Sequence, residues 1–270
     1  MAQLCRKLGV SRSGYYSWLS RPKSKRKVEN ESLVQEIKSI HKESRYLYGS
    51  PRVHAVLRKR GYHYNLKRIE RLMRENDIVS RVTRKFKRKQ RNYLFYNQAP
   101  NLLLERDAPT QKNEVWVGDV TFIRVNENWT YLAVVMDLYS RKVLGWAYGA
   151  SKKSHLAKEA LSMAVSNSPP SKETIFHSDQ GIEYTSTLFQ KQVREYGLTP
   201  SMSRKGHCWD NAFMESFFHT LKTEMVYFQK FSNIVQATSY IMDYITFYNH
   251  YRIHSSLNYD TPQEYHLRVA

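Results

Sequence analysis

Residues 113–125 read NEVWVGDVTFIRV. The alternation over positions 115 to 123 predicts a strand with Val115, Val117, Asp119 and Thr121 on one face. An aspartate on that face is out of place in an ordinary core, because ionised carboxylates are rarely fully buried unless paired. The order of elements after Asp119 decides what kind of fold could use it.

WTYLAVVMDLYS (129–140) and RKVLGWAYGA (141–150) predict two further strands, with NEN and YSRK as hairpin connections. SHLAKEALSMAVSN (154–167) is helical in pattern, with Leu156, Ala160, Met163 and Ala164 on one side. ETIFHSDQG (173–181) predicts a fourth strand, TSTLFQKQVREYG (185–197) a helix, and LTPSMS (198–203) a short extended segment. MSRKGHCWDNAFMESFFHTLKTE (202–224) leads into another helix, and a longer one is predicted from about residue 233 to 251. Three consecutive antiparallel strands followed by α-β-α-β-α is the order of an RNase H-like fold, although pattern alone leaves other α/β arrangements open.

Two more acids join Asp119. Asp179 ends the fourth strand, where Gly181 permits a tight turn, and Glu215 lies one turn into a helix that Asp210 or Asn211 could cap. Each alone has an ordinary reading, as an ion-paired acid, a turn residue or a solvated helix charge. Together, a strand, a strand end and a helix start can bring three carboxylates to one place when the helix packs over the sheet. Close carboxylates repel one another without a cation. Hard oxygen donors favour Mg²⁺ or Mn²⁺, and two such ions suit in-line displacement at a phosphodiester. Met214, Phe217, Phe218, Leu221 and Met225 form the face expected to dock this helix on the sheet.

The front of the chain is different in charge. Residues 1–110 hold 27 Lys and Arg against 9 Asp and Glu, while the rest holds 16 against 15, so nearly all of the +19 lies in the first part. Such a field fits a polyphosphate partner better than a membrane surface or an acidic protein. AQLCRKLGVSRSGYYSWLS (2–20) has helix-turn-helix grammar: Leu4 and Leu8 give an apolar face, Gly9 breaks it, and Ser11 can cap a helix holding Tyr15, Trp18 and Leu19. Leu33, Ile37 and Ile40 recur at helical spacing. A second pair comes next, with Val53, Val56 and Leu57 on one helix, a turn at Gly61, Asn65 as N-cap, and Ile69, Leu72 and Met73 on the other. Lys67, Arg68, Arg71 and Arg74 fall on its more exposed sides, the layout of a recognition helix. RVTRKFKRKQR (81–91), with Lys85, Lys87, Arg88 and Lys89, reads as a charged arm for a nucleic-acid backbone. The expected organisation is a helical, basic DNA-binding region at 1–80, a basic linker at 81–112, and an α/β catalytic core at 113–270.

Composition excludes some classes. An aromatic content of 13% argues against disorder, and no apolar run approaches the roughly 18–20 residues of a membrane span. Cys5 and Cys208 lack metal-ligand spacing, and the N-terminus has no long apolar stretch, so a reducing, intracellular setting is expected.

Asp119 and Asp179 have 59 residues between them, and Asp179 and Glu215 have 35. That spacing resembles the D…D-x35-E arrangement of retroviral integrases and bacterial insertion-sequence transposases. The words VWVGDVTFI, VVMDLYSRKVLGW, HSDQGIEYTS, SMSRKGHCWDNAFMESFFHTLKTE and FYNHYRIHSSLNYDTPQEY narrow it. In order, they resemble the second-reading-frame (OrfB-type) transposases of the insertion-sequence-three family, over most of the chain from about Leu4. The resemblance implies an integrase core with a mixed five-stranded sheet, in which Asp119, Asp179 and Glu215 hold two Mg²⁺ or Mn²⁺ ions. It implies DNA cleavage and strand transfer without a covalent protein–DNA intermediate, element ends and target DNA as partners, and a homo-oligomer on DNA in the bacterial cytoplasm, at the nucleoid. A fusion with an upstream-frame helix-turn-helix and coiled-coil protein is a further expected partner. Lys222 matches the basic residue seven positions after the glutamate, where two helical turns put it on nearly the same face. His177 and Asp137 are accessory candidates, with a packed core histidine and a turn-forming aspartate as their alternatives. Two rival functions stay open: a nuclease on the same fold that cuts without joining, and a DNA-binding regulator inactive alone.

Overall fold

The computed structural model describes residues 1–82, 99–104, 106–203 and 212–268, and divides into two compact units, Met1–Ser80 and Arg81–Ala270. The first unit is all helical: α1 (Ala2–Lys7), α2 (Arg12–Leu19), α3 (Lys25–Glu43), α4 (Ser50–Lys59) and α5 (Leu66–Glu75). The caps that the sequence offers are made. Ser11 accepts a hydrogen bond from the Gly14 amide at 2.9 Å, and Asn65 accepts one from Lys67 at 2.9 Å. Leu33, Ile37 and Ile40 of α3, Val53 and Leu57 of α4, and Ile69, Leu72 and Met73 of α5 are buried together as one apolar core.

The first helix pair departs from its expectation. α1 and α2 form, but Leu4, Leu8, Trp18 and Leu19 are 56–68% exposed, and Cys5 is their buried residue. Two helices of six and eight residues offer too little facing surface to enclose their own apolar side chains.

The second unit is built on a five-stranded sheet, β1 (Val115–Val125), β2 (Asn128–Asp137), β3 (Val143–Gly149), β4 (Ile175–Ser178) and β5 (Thr199–Met202), in the order β3-β2-β1-β4-β5. β1, β2 and β3 are antiparallel neighbours, whereas β4 runs parallel to β1 and β5 parallel to β4. Parallel neighbours need crossovers. These are supplied by α6 (Ser154–Asn167) between β3 and β4, and by α7 (Ile182–Thr185) and α8 (Thr187–Glu195) between β4 and β5. α9 (Ala212–Glu224), α10 (Ile234–His250) and α11 (Pro262–Leu267) complete the unit.

One core cluster joins Trp116, Ala133, Val135 and Phe176 of the sheet to Leu156, Ala160 and Leu161 of α6 and Phe189 of α8. α6 lies so close to β3 that a β-carbon on Gly145 would collide with the backbone of Ala160 and Ala164. Ala157 and Leu161 occupy the buried arc of α6 beside the expected Leu156, Ala160 and Ala164, while Met163 is 39% exposed. At about 100° per residue Met163 falls at the rim of that arc, where its sulfur accepts the Trp146 amide at 3.3 Å. The alternation expected in β1 holds only in its second half. Residues 115–118, the half paired with β4, are buried on both faces.

Part of the expected linker is laid along the core. Ala99 joins the apolar cluster, the Pro100 carbonyl accepts the Met202 amide at 3.1 Å, and the Leu102 amide donates to Ser201 at 3.0 Å. The Pro100 bond occupies one backbone amide on the free edge of β5, and the Leu102 bond holds the segment through the Ser201 hydroxyl.

Candidate active site

β1 and β4 part company at one position. Gly118 and Ser178 are the last register partners of the parallel pair, and Asp119 and Asp179 are the residues immediately after them. Neighbouring strands lie about 4.8 Å apart, so the register alone sets these two aspartates side by side where the strands separate. Each carboxylate also accepts a backbone amide close to it in sequence. Asp119 accepts the Val120 amide at 2.7 Å, and Asp179 accepts the Gly181 amide at 2.9 Å.

The two carboxyls repel each other in poor solvent. Asp119 is held well above the usual carboxylate range, first by burial and then by the charge of Asp179; the Val120 amide and Lys152 oppose the shift. Asp179 is pushed up to about 6, again first by burial and then by the charge of Glu183, against the Gly181 amide and Lys152. Tyr184 is buried beside them, packed on Phe176 and Phe189, with its hydroxyl pushed far up by burial and then by the acids.

Sequence reasoning misses Glu183. It sits on α7, four residues after Asp179, and is 2% exposed. Its Oε1 pairs with the Lys152 ammonium at 3.1 Å. The signal is present in HSDQGIEYTS, where a tight turn returns the chain towards the aspartate, but an acid on a short loop-like segment has no periodicity to mark it.

Glu215 occupies the first turn of α9 and is partly exposed. α9 packs on β1, and the Lys222 ammonium stands 4.4 Å from the ring centroid of Phe122, three residues after Asp119. The predicted docking face holds: Met214, Phe217, Phe218, Leu221 and Met225 are all buried. The Asp210 and Asn211 cap lies outside the described residues. Among the described residues, no group of three or more His, Cys, Asp or Glu stands close enough to hold a metal ion. Asp119 and Asp179 nevertheless fit one, as two hard oxygen donors whose mutual repulsion a divalent cation relieves.

The accessory candidates take their packed alternatives. His177 is fully buried, with Nδ1 bonded to Ser201 at 2.8 Å and Nε2 to Ser203 at 3.0 Å, which ties β4 to β5. Asp137 is also fully buried. It accepts from the Asn113 amide at 2.9 Å and from the Ser140 amide and hydroxyl at 2.8 and 2.6 Å, and so closes the turn after β2.

On the helical unit, Lys67 is exposed and Arg71 faces Glu75 at 3.8 Å. Arg68 is spent internally instead. Its guanidinium bonds Asn30 at 2.6 and 3.0 Å, pairs with Glu29 at 2.9 Å and covers the Tyr64 ring at 4.6 Å, clamping α5 to α3. The seam between those helices takes the arginine stem, which helical-wheel reasoning places outside. Lys85, Lys87, Arg88 and Lys89 lie outside the described residues. No helix among the described residues is long and apolar enough to cross a membrane.

Comparison with known proteins agrees with this architecture. Residues 27–86 match the family described as HTH-like domain, and residues 109–208 and 196–262 match two described as Integrase core domain. The helix-turn-helix match thus covers α3–α5 and leaves out α1 and α2. The chain is 39% identical to the insertion element IS600 uncharacterized 31 kDa protein of Shigella sonnei, over 99% of this chain and all of that one. It is 37% identical to the transposase for insertion sequence element IS904 of Lactococcus lactis, over 92% and 98% of the two chains. It is 35% identical to the transposase InsF for insertion sequence IS3A of Escherichia coli, over 97% and 92%. In three dimensions it resembles a chain of the simian T-cell lymphotropic virus intasome in complex with PP2A regulatory subunit B56 gamma, with 19% identity and a TM-score of 0.51. That likeness covers 63% of this chain and 59% of the other, and shows a shared fold.

Proposed function

Because the chain belongs to the insertion-sequence-three family of transposases, we propose that it cuts and joins DNA at a centre formed by Asp119, Asp179 and Glu215. The observation that carries this reading is the pair of mutually repelling carboxyls at the parting of β1 and β4, with α9, the helix that carries Glu215, packed on β1. Asp119 and Asp179 would hold one divalent cation, and Glu215, brought in from α9, would complete the set for two. When bound, Mg²⁺ or Mn²⁺ supplies charge neutralisation at the phosphodiester and activates the attacking water or 3′-hydroxyl.

The protein's own groups do the rest. Asp119 and Asp179 are oriented by the Val120 and Gly181 amides before any ligand arrives. Lys222, steadied over Phe122, contacts a phosphate beside the reacting one. The helical unit grips element-end DNA through α5, with Lys67 and Arg71 on backbone phosphates, and the basic segment at 81–91 adds salt-sensitive affinity. Two element ends brought together call for more than one copy of the chain.

Joining separates this function from simple cleavage. With Mg²⁺ and a labelled oligonucleotide carrying the element end, the account expects products longer than the substrate. Cleavage products alone would favour a nuclease, and binding without either would favour a regulator.

A further inference from the structure

Glu183 has one carboxylate oxygen on Lys152 and the other, Oε2, without a hydrogen-bond partner, although the side chain is 2% exposed. A buried, half-satisfied carboxylate is costly to keep, and α7 can be built without one. Its position relative to Asp179 is close. A β-carbon added to Gly181 would stand 2.8 Å from Glu183 Oε1 and 2.9 Å from Asp179 Oδ1, so the two carboxyls flank one point and a side chain there would displace them. The charge of Glu183 acts on both Asp119 and Asp179, and that of Lys152 opposes it at both. Lys152 reaches this cluster from the connection between β3 and α6, with 36% of its side chain still exposed.

We infer that Glu183 is a fourth carboxylate of the centre and that Lys152 is its built-in counter-cation, so that a divalent cation at Asp119 and Asp179 binds against the charge of the Lys152 ammonium. The inference rests on the reading of Asp119 and Asp179 as cation ligands. Glu183 acts through its neighbours and is a positioning residue: it holds the ammonium beside the aspartates and adds to the negative field that attracts the cation. Lys152 limits the repulsion in the cation-free protein and thereby weakens cation binding.

Thermal unfolding of the full chain, titrated with Mg²⁺ and with Mn²⁺ in the absence of DNA, tests this without recourse to activity. A cation that binds the folded state raises Tm, and the concentration dependence reports its affinity. Lys152→Met is expected to melt below the parent without cations and to reach its cation-dependent rise at several-fold lower concentration. Glu183→Gln is expected to need several-fold more cation, and Lys152→Arg to behave as the parent. Lys152 is part-exposed, so Lys152→Met carries the test even if Glu183→Gln does not fold. A parent that responds to cations while both variants share its midpoint overturns the inference, as does a Lys152→Met midpoint at higher concentration. A parent with no cation response overturns the cation-site reading itself and this inference with it.

Discussion

Arg252 and Glu224 form a buried ion pair: Nη2 meets Oε1 at 2.7 Å, Nε reaches Oε1 and Oε2 at 3.1 and 2.9 Å, and both side chains are at most 6% exposed. Tyr244 of α10 donates to the same carboxylate at 2.9 Å. Glu224 is the last residue of α9, so this pair pins the helix that carries Glu215 to the segment after α10. Removing one partner of a buried pair leaves an uncompensated charge and costs roughly 3–5 kcal/mol. Arg252→Met should therefore lower unfolding stability by about that much, read by urea denaturation. Pairing it with Glu224→Leu should recover much of the loss. A single variant as stable as the parent would show that the pair does not anchor α9.

The two neighbouring cations of α5 should behave differently. Lys67→Ala should weaken DNA binding and reduce the log–log salt slope by roughly 0.9, because one phosphate contact is lost. Arg68→Ala should instead destabilise the helical unit by about 1–3 kcal/mol, since it removes charge-assisted bonds between α5 and α3. Equal effects of the two on the salt slope would contradict the assignment.

The raised aspartates make stability depend on pH. Their folded pKa values lie above the unfolded value of about 4, with Asp179 at about 6. Across that window the folded protein binds more protons than the unfolded one, so the pair's contribution to stability falls as pH rises. In EDTA, Asp179→Asn, which can still accept the Gly181 amide, should melt above the parent at pH 7 and converge with it towards pH 4. Saturating Mg²⁺ should reverse the order at pH 7. A variant that melts below the parent at pH 7 in EDTA would contradict the electrostatic account.

Much of the core is legible in the sequence because its signals are local. The alternation around Asp119, the Gly181 turn after Asp179 and the Phe217–Leu221 face of α9 each arise from periodicity or turn chemistry within a few residues. The features that sequence reasoning misses depend on contacts between distant segments. A helical wheel assigns Arg68 to DNA because it cannot show that Asn30 and Glu29, nearly forty positions earlier, receive its guanidinium. Glu183 and Lys152 are thirty-one positions apart and meet only because α7 folds back beside the β1–β4 junction. The helix α11 is a different case, passed over although Thr261 and Glu264 make a capping box that four residues of sequence announce. The exposed apolar residues of α1 and α2 look like a core in sequence, and only the packing shows that nothing among the described residues encloses them.

The central claim is that Glu215 joins Asp119 and Asp179 in one centre, and Glu215 is the member that the register of the sheet does not place. The most direct measurement is strand transfer on labelled element-end DNA with Mg²⁺, comparing the parent with Glu215→Gln at matched folding and DNA affinity. The account predicts that Glu215→Gln yields neither cleaved nor joined product. Joining at a rate close to the parent's would contradict it.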